Sequence, residues 1–183
     1  MSEQKDFSKE SFSDSRGKLF MRVKETDGFL SVYSNRSEEI ISGEAADFID
    51  NAVKSKYLKN GLRIIIESNT IDKETQKIYK NAIKNYYKNR VMDTERKMRE
   101  NSLTALIMTI LAVVVFCIYI GLEYLKTGFI ILAITDIAAW VFAWEAVDLF
   151  FIERRALKDE KVRDTSIYNA EIEFSDLSEK KKM

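Results

Sequence analysis

Two apolar runs with a three-residue break between them constrain this chain more than any other feature. Leu103 to Leu125 reads LTALIMTILAVVVFCIYIGLEYL, and Phe129 to Ile152 reads FIILAITDIAAWVFAWEAVDLFFI. At about 1.5 Å of rise per residue, either run as a helix crosses about 30 Å of hydrocarbon. Lys126-Thr127-Gly128 allows a tight turn and little else. The residues outside the runs are too few to form a globule that buries two such helices. The expectation is a transmembrane hairpin, with spans at 103–125 and 129–152 and an outside turn at 126–128.

The flanks orient the hairpin. Arg96, Lys97 and Arg99 precede the first span, Arg154 and Arg155 follow the second, and the turn carries Lys126 beside Glu123. Basic residues are retained on the cytoplasmic side, so both termini are expected there. The same side chains are candidates for lipid headgroup contact or charge pairing. The N-terminus, MSEQKDFSKESFSDS, has no apolar core of a signal peptide, so insertion is expected to depend on the hairpin. A compact Lys- and Ile-rich chain suggests a bacterial plasma membrane.

Outside the hairpin one small domain can form. Residues 1–15 read as disordered, and 16–100 as a cytoplasmic α/β domain continuing into a long helix. KLFMRVK at Lys18–Lys24 and FLSVYS at Phe29–Ser34 look like strands of a hairpin around Glu25-Thr26-Asp27-Gly28. A helix fits Gly43–Leu58, with Ser42 as N-cap, Ala46, Ile49, Val53 and Tyr57 on one face, and Lys59-Asn60-Gly61 as its stop. LRIIIE at Leu62–Glu67 reads as a central strand covered on both faces. Asp72 caps a helix that meets no breaker before Gly121, with Ile78, Ala82, Tyr86 and Val91 as its packed side. Residues 153–183 hold a charged helix, then IYNAEIEF at 167–174. That segment is either a strand returning to the sheet or part of a tail. The expected fold class is an α/β domain, β-β-α-β-α with that optional strand, plus a two-helix membrane hairpin.

The membrane helices carry acids, which are expensive in hydrocarbon and face a bundle interior or an aqueous cavity. Asp136 falls near the midplane, Glu145 in the inner half and Asp148 near the inner boundary. With Glu123 at the turn, these are the candidates for an ion or proton pathway in a homo-oligomer, or for intramembrane polar contacts. The plainer account pairs Glu145 and Asp148 with Arg99, Arg154 or Arg155, and leaves Asp136 neutral or hydrogen-bonded to Thr109 or another polar neighbour. Trp140 and Trp144 are expected to pack between helices. Neighbouring copies would cover acids that point two ways.

Composition excludes several chemistries. There are 29 basic and 29 acidic residues, so no bulk charge favours nucleic acid. Without histidine, and with Cys117 alone inside an apolar run, His-based triads and Cys/His zinc sites cannot form. Asp47 with Asp50, or Glu38 with Glu39, could touch a divalent ion but read as a solvated face. No catalytic constellation, metal site or cofactor is expected. The expected partners are membrane lipids, further copies of the chain, and an unidentified cytoplasmic protein or small ligand. Two functional readings follow. Either an oligomer couples the cytoplasmic domain to a membrane bundle, as a cation or proton channel or a non-conducting scaffold, or the hairpin merely anchors a binding or sensing module.

Overall fold

The computed structural model describes residues 17–23, 28–34, 38–54, 61–68 and 71–175. Its elements are β1 (Gly17–Arg22), α1 (Gly43–Lys54), β2 (Leu62–Glu67), α2 (Lys73–Tyr124), α3 (Phe129–Val147), a π-helical turn (Asp148–Glu153), α4 (Arg154–Tyr168) and β3 (Glu171–Ser175). The chain separates into two compact units, Met1–Val91 with Val162–Met183, and Met92–Lys161.

In the first unit β1, β2 and β3 form a parallel sheet in that order. Parallel neighbours need a crossover rather than a hairpin turn. The β1–β2 crossover contains α1. The β2–β3 crossover contains α2, α3, the π turn and α4. Both long apolar helices are therefore an insertion within one crossover of the sheet.

This topology replaces the β-hairpin expected at Lys18–Lys24 and Phe29–Ser34. Phe29 is buried and stacks on Tyr79 with ring centroids 4.2 Å apart. Leu30 makes an isolated antiparallel bridge to Ile41. Beyond it the chain turns: Ser34 N–H donates to Ser31 O at 3.0 Å, and the Ser34 hydroxyl donates to the same oxygen at 2.7 Å. Val32 and Tyr33 at the tip are 93% and 96% exposed. The serine side chains satisfy backbone groups locally and so compete with a ladder. β1 instead takes β2, placing Leu19 beside Ile64 and Met21 beside Ile66. Of the turn expected at Glu25–Gly28, Gly28 alone lies within the described residues.

β2 is fully covered on one face and partly on the other, where Glu67 is buried. Leu62, Ile64 and Ile66 are buried, whereas Arg63 and Ile65 are half-exposed. The register explains this, because Lys18 and Glu171 flank Arg63, while Phe20 and Glu173 flank Ile65. Arg63 reaches Glu171 at 3.1 Å and Glu173 at 3.5 Å, so charged groups occupy that face.

Local caps follow from the residues. The Ser42 hydroxyl accepts the Ala45 N–H at 3.4 Å, and Ala46, Ile49 and Val53 are buried beneath it. Tyr57 lies outside the described residues, as do the segments 1–16 and 176–183. Gly61 takes φ 87°, the left-handed geometry expected there, and its carbonyl accepts the Gly17 N–H at 3.1 Å. Asp72 accepts the Thr75 N–H at 3.2 Å, and the Thr75 hydroxyl first, with this N–H second, holds its carboxyl below the ordinary range. The packed side of α2 is turned from the expected one: Tyr79, Ala82, Ile83 and Tyr87 are buried, and Ile78, Tyr86 and Val91 are partly so. C-terminal Ile172 lies beside Ile64 in the sheet, and Ile167, expected in that strand, is a buried residue of α4.

In the second unit α2 ends in a Schellman turn. Thr127 N–H donates to Leu122 O at 3.1 Å and Lys126 N–H to Glu123 O at 3.0 Å, with Lys126 at φ 52°. From residue 103 to 124, Ala105, Met108, Ala112, Val115, Tyr119 and Leu122 are the less exposed positions. They alternate steps of three and four, the spacing of a helix–helix seam. Ala139, Ala146 and Leu149 are the buried residues that α3 and the π turn contribute to this unit. The remaining apolar side chains point outward. Both helices are long and apolar enough to cross a membrane, with 6% and 11% of their apolar windows buried.

Candidate functional site: one enclosed and one open polar centre

Each unit holds a polar centre. In the first, Arg90 of α2 lies between two acids. Its guanidinium donates to Asp50 Oδ2 of α1 at 2.6 Å, and its Nε lies 3.2 Å from Asp164 Oδ2 of α4. The second contact is close enough for an ion pair but lacks hydrogen-bond alignment. Asp164 is fully buried and also accepts from Arg163 Nε at 3.3 Å. The Tyr87 hydroxyl donates to Asp50 Oδ1 at 3.0 Å, and Arg90 lies 5.5 Å from the Tyr87 ring centroid.

Burial acts first on Asp164, Tyr87 and Arg90. It pushes the Asp164 carboxyl above its usual range, outweighing the pull of Arg90 and Arg163. Burial and the neighbouring Asp50 carboxylate hold the Tyr87 phenol well above its ordinary value. Burial opposes the Arg90 charge, but the bond to Asp50 and the field of Asp164 more than restore it. The arrangement ties α1, α2 and α4 together.

The sequence reading placed Asp50 on a solvated face and gave Asp164 no role. A signal was present. Leu157, Asp164 and Ile167 recur at helical spacing, so Asp164 sits between two apolar positions on one side of α4. An acid there must have a partner. Among the described residues no group of three or more Asp, Glu or Cys could hold a metal ion.

The second centre is open. Asp136 of α3 lines a cavity of about 330 Å³ with Ala112, Val113 and Phe116 of α2 and Ala139, Trp140 and Ala143 of its own helix. The side chain is half-buried. Thr109, its expected partner, instead donates to Ala105 O at 2.8 Å within its own helix. Among the described residues Asp136, Glu145 and Asp148 make no ion pair, so the expected bridges to Arg99, Arg154 and Arg155 do not form within the chain. Glu145 is exposed and Asp148 half-buried, and Glu123 is exposed beside the turn. Trp140 and Trp144 are 67% and 69% exposed, so they do not pack between α2 and α3. Alanines occupy the inward positions of α3, and the indoles beside them are carried outward.

The basic flank residues divide. Arg96 pairs with Glu100 at 3.2 Å on an exposed face, a contact of small energetic weight. Arg99 and Arg154 line one cavity with Lys161, which is 2.9 Å from Glu95 and lowers its pKa. Lys97 lines another, where Asn101 Nδ2 donates to Glu153 Oε2 at 2.6 Å. Arg155 is exposed. The π turn ends on Glu153, where the locally widened helix is followed by α4.

The fold thus defines a small parallel α/β unit carrying two helices long and apolar enough to cross a membrane. No family model, no curated protein and no solved structure matches this chain.

Proposed function

We propose that this is an integral membrane protein in which a helical hairpin couples a cytoplasmic α/β unit to a homo-oligomeric membrane bundle. The observation that carries the reading is the insertion of both apolar helices into the β2–β3 crossover. The hairpin is not a tail attached to a finished domain. The sheet gains its third strand after the chain has passed through both helices, and Arg90 with Asp164 ties α2 to α4 inside the α/β unit. A change in helix spacing or tilt therefore bears on the strand order, and a ligand on the sheet bears on the helices.

Lipid would cover the outward Leu, Ile, Val and Phe side chains, and the basic residues around both helix ends would hold the termini in the cytoplasm. Glu145 points away from the groove that holds Asp136, so one hairpin does not enclose both acids. Neighbouring copies supply the missing cover for Glu145 near the Arg99–Arg154 end.

Both tryptophans of the chain lie on α3 and face outward. Reconstitution into bilayers with brominated acyl chains should therefore quench most of the tryptophan emission. Emission unchanged by bromination would overturn the membrane reading. Native mass of the particle in nanodiscs then gives the subunit number, and a monomer would overturn the bundle.

A further inference from the structure

We propose that the groove around Asp136 is a binding site for a lipophilic organic cation, a ligand with an apolar body and one positive charge. The inference rests on the membrane reading above and adds a ligand class to it.

The walls give the first half of the argument. Ala112, Ala139 and Ala143 are small and leave room, while Phe116 and Trp140 offer aromatic surfaces. A cavity of about 330 Å³ falls in the range of small-molecule sites, which pair mostly apolar walls with few polar groups. Here that group is a single carboxylate. No other titratable side chain lines the cavity, so the charge it offers is Asp136 alone.

The second half is elimination of other occupants. Between Leu103 and Ile152 the chain contains Glu123, Asp136, Glu145 and Asp148 but Lys126 as its sole basic residue. Lys126 lies about 15 Å from Asp136 by helix rise, beyond the reach of its side chain. A second copy of the hairpin therefore brings no cation to this depth. An acyl chain fills the volume but leaves the carboxylate unmatched. An inorganic ion finds one carboxylate and otherwise hydrocarbon, too few oxygens to replace its water. An organic cation satisfies both features: its body fills the alanine notch, its charge meets Asp136, and Trp140 at the rim of the same cavity adds an aromatic surface for that charge.

The test uses the full-length protein in nanodiscs with radiolabelled tetraphenylphosphonium, and the neutral triphenylphosphine oxide for comparison. Saturable binding of the cation is expected, with quenching of Trp140 emission, and affinity should fall about tenfold or more in Asp136→Asn. Trp140→Leu keeps the apolar volume and should weaken the cation about threefold to tenfold while leaving the neutral compound unchanged. Glu145→Gln, outside the groove, should bind like the parent. Equal binding by the parent and Asp136→Asn would mean partition into lipid and overturn the proposal. So would absence of saturable binding, or a groove found closed by a second copy. Bromine quenching in the same particles reports insertion separately, so loss of cation binding with insertion intact overturns this inference alone.

Discussion

Asp164 and Asp136 are both acids on helices with apolar residues beside them, and their surroundings differ in kind. Asp164 is fully enclosed and has two arginines, Arg90 at 3.2 Å and Arg163 at 3.3 Å. Asp136 is half-open and has alanine, phenylalanine and tryptophan around it. Fixed counter-charges offset part of the desolvation of Asp164 where it stands, although burial still dominates, and its partners are all within the fold. An acid on an apolar groove without a counter-charge leaves an offset to be supplied from outside. The lesson is that partnership, more than burial, separates a structural carboxylate from one that invites a ligand.

The contrast is broken most forcefully at Arg90. Arg90→Met removes the counter-charge that Asp164 and Asp50 share, leaving them Arg163 and the Tyr87 hydroxyl, and breaking a buried pair by removing one partner costs about 3–5 kcal/mol. Amide exchange in Leu62–Glu67 should accelerate by orders of magnitude, since β2 is the strand with neighbours on both sides. Unchanged exchange would make the cluster incidental.

Asp136→Leu should act in the opposite direction. Removing an uncompensated acid from an apolar helix should stabilise the hairpin by about 2–3 kcal/mol. Tryptophan emission reports it cleanly, because both indoles are on α3. Greater resistance to unfolding in SDS is expected. If Asp136→Leu loosens the hairpin as Arg90→Met loosens the sheet, the two acids are alike and the comparison fails.

A pH series sharpens the other side. An unfolded aspartate titrates near about 3.9. Asp164 in the fold titrates above its usual range because burial dominates. Between those two values the folded chain holds a proton that the unfolded chain has released, so stability falls as pH rises through that window. Asp164→Asn lacks this dependence. Acidification should therefore improve the thermal midpoint of the parent relative to the variant. Asp72 and Glu95, with lowered pKa, give slopes of the opposite sign in both proteins and cancel in the difference. A difference independent of pH would mean that the arginines outweigh burial at Asp164.

The legibility of these features varied with how local their causes are. The apolar runs, the unbroken α2, the Ser42 and Asp72 caps and the left-handed Gly61 depend on a few adjacent residues, and the sequence carries them openly. The strand at Glu171–Ser175 is marked by alternation of Glu171, Ile172, Glu173 and Phe174. Strand partners depend on distant residues. FLSVYS alternates well enough for a strand, yet β1 pairs with β2 because Leu62, Ile64 and Ile66 offer a longer apolar register. The packed side of α2 centres on Tyr79, Ala82, Ile83 and Tyr87, with Ile78 and Tyr86 at its edge against the same core, so the expected stripe is displaced rather than absent. Asp50, Arg90 and Asp164 stand 40 and 74 positions apart by number, so periodicity within one helix gave no reason to join them. Asp136 was legible as an unusual residue, but its alanine and aromatic walls come from two helices.

The smallest effect is expected at Tyr87, and it separates the roles of charge and hydrogen bonding inside the enclosed cluster. Tyr87→Phe removes the hydroxyl that donates to Asp50 Oδ1 at 3.0 Å but keeps the ring beside Arg90. Asp50 still accepts from Arg90 at 2.6 Å, so neither acid is left without a donor. The loss should be about 1 kcal/mol, one ordinary hydrogen bond. Combined with Arg90→Met, the same substitution should cost more than it does alone, because the Tyr87 hydroxyl would then be the remaining side-chain donor to Asp50 among the contacts described. Thermal midpoints of the two single variants and the double variant measure that coupling. Strict additivity would mean that Tyr87 and Arg90 hold Asp50 independently, and the cluster would be two separate pairs rather than one network.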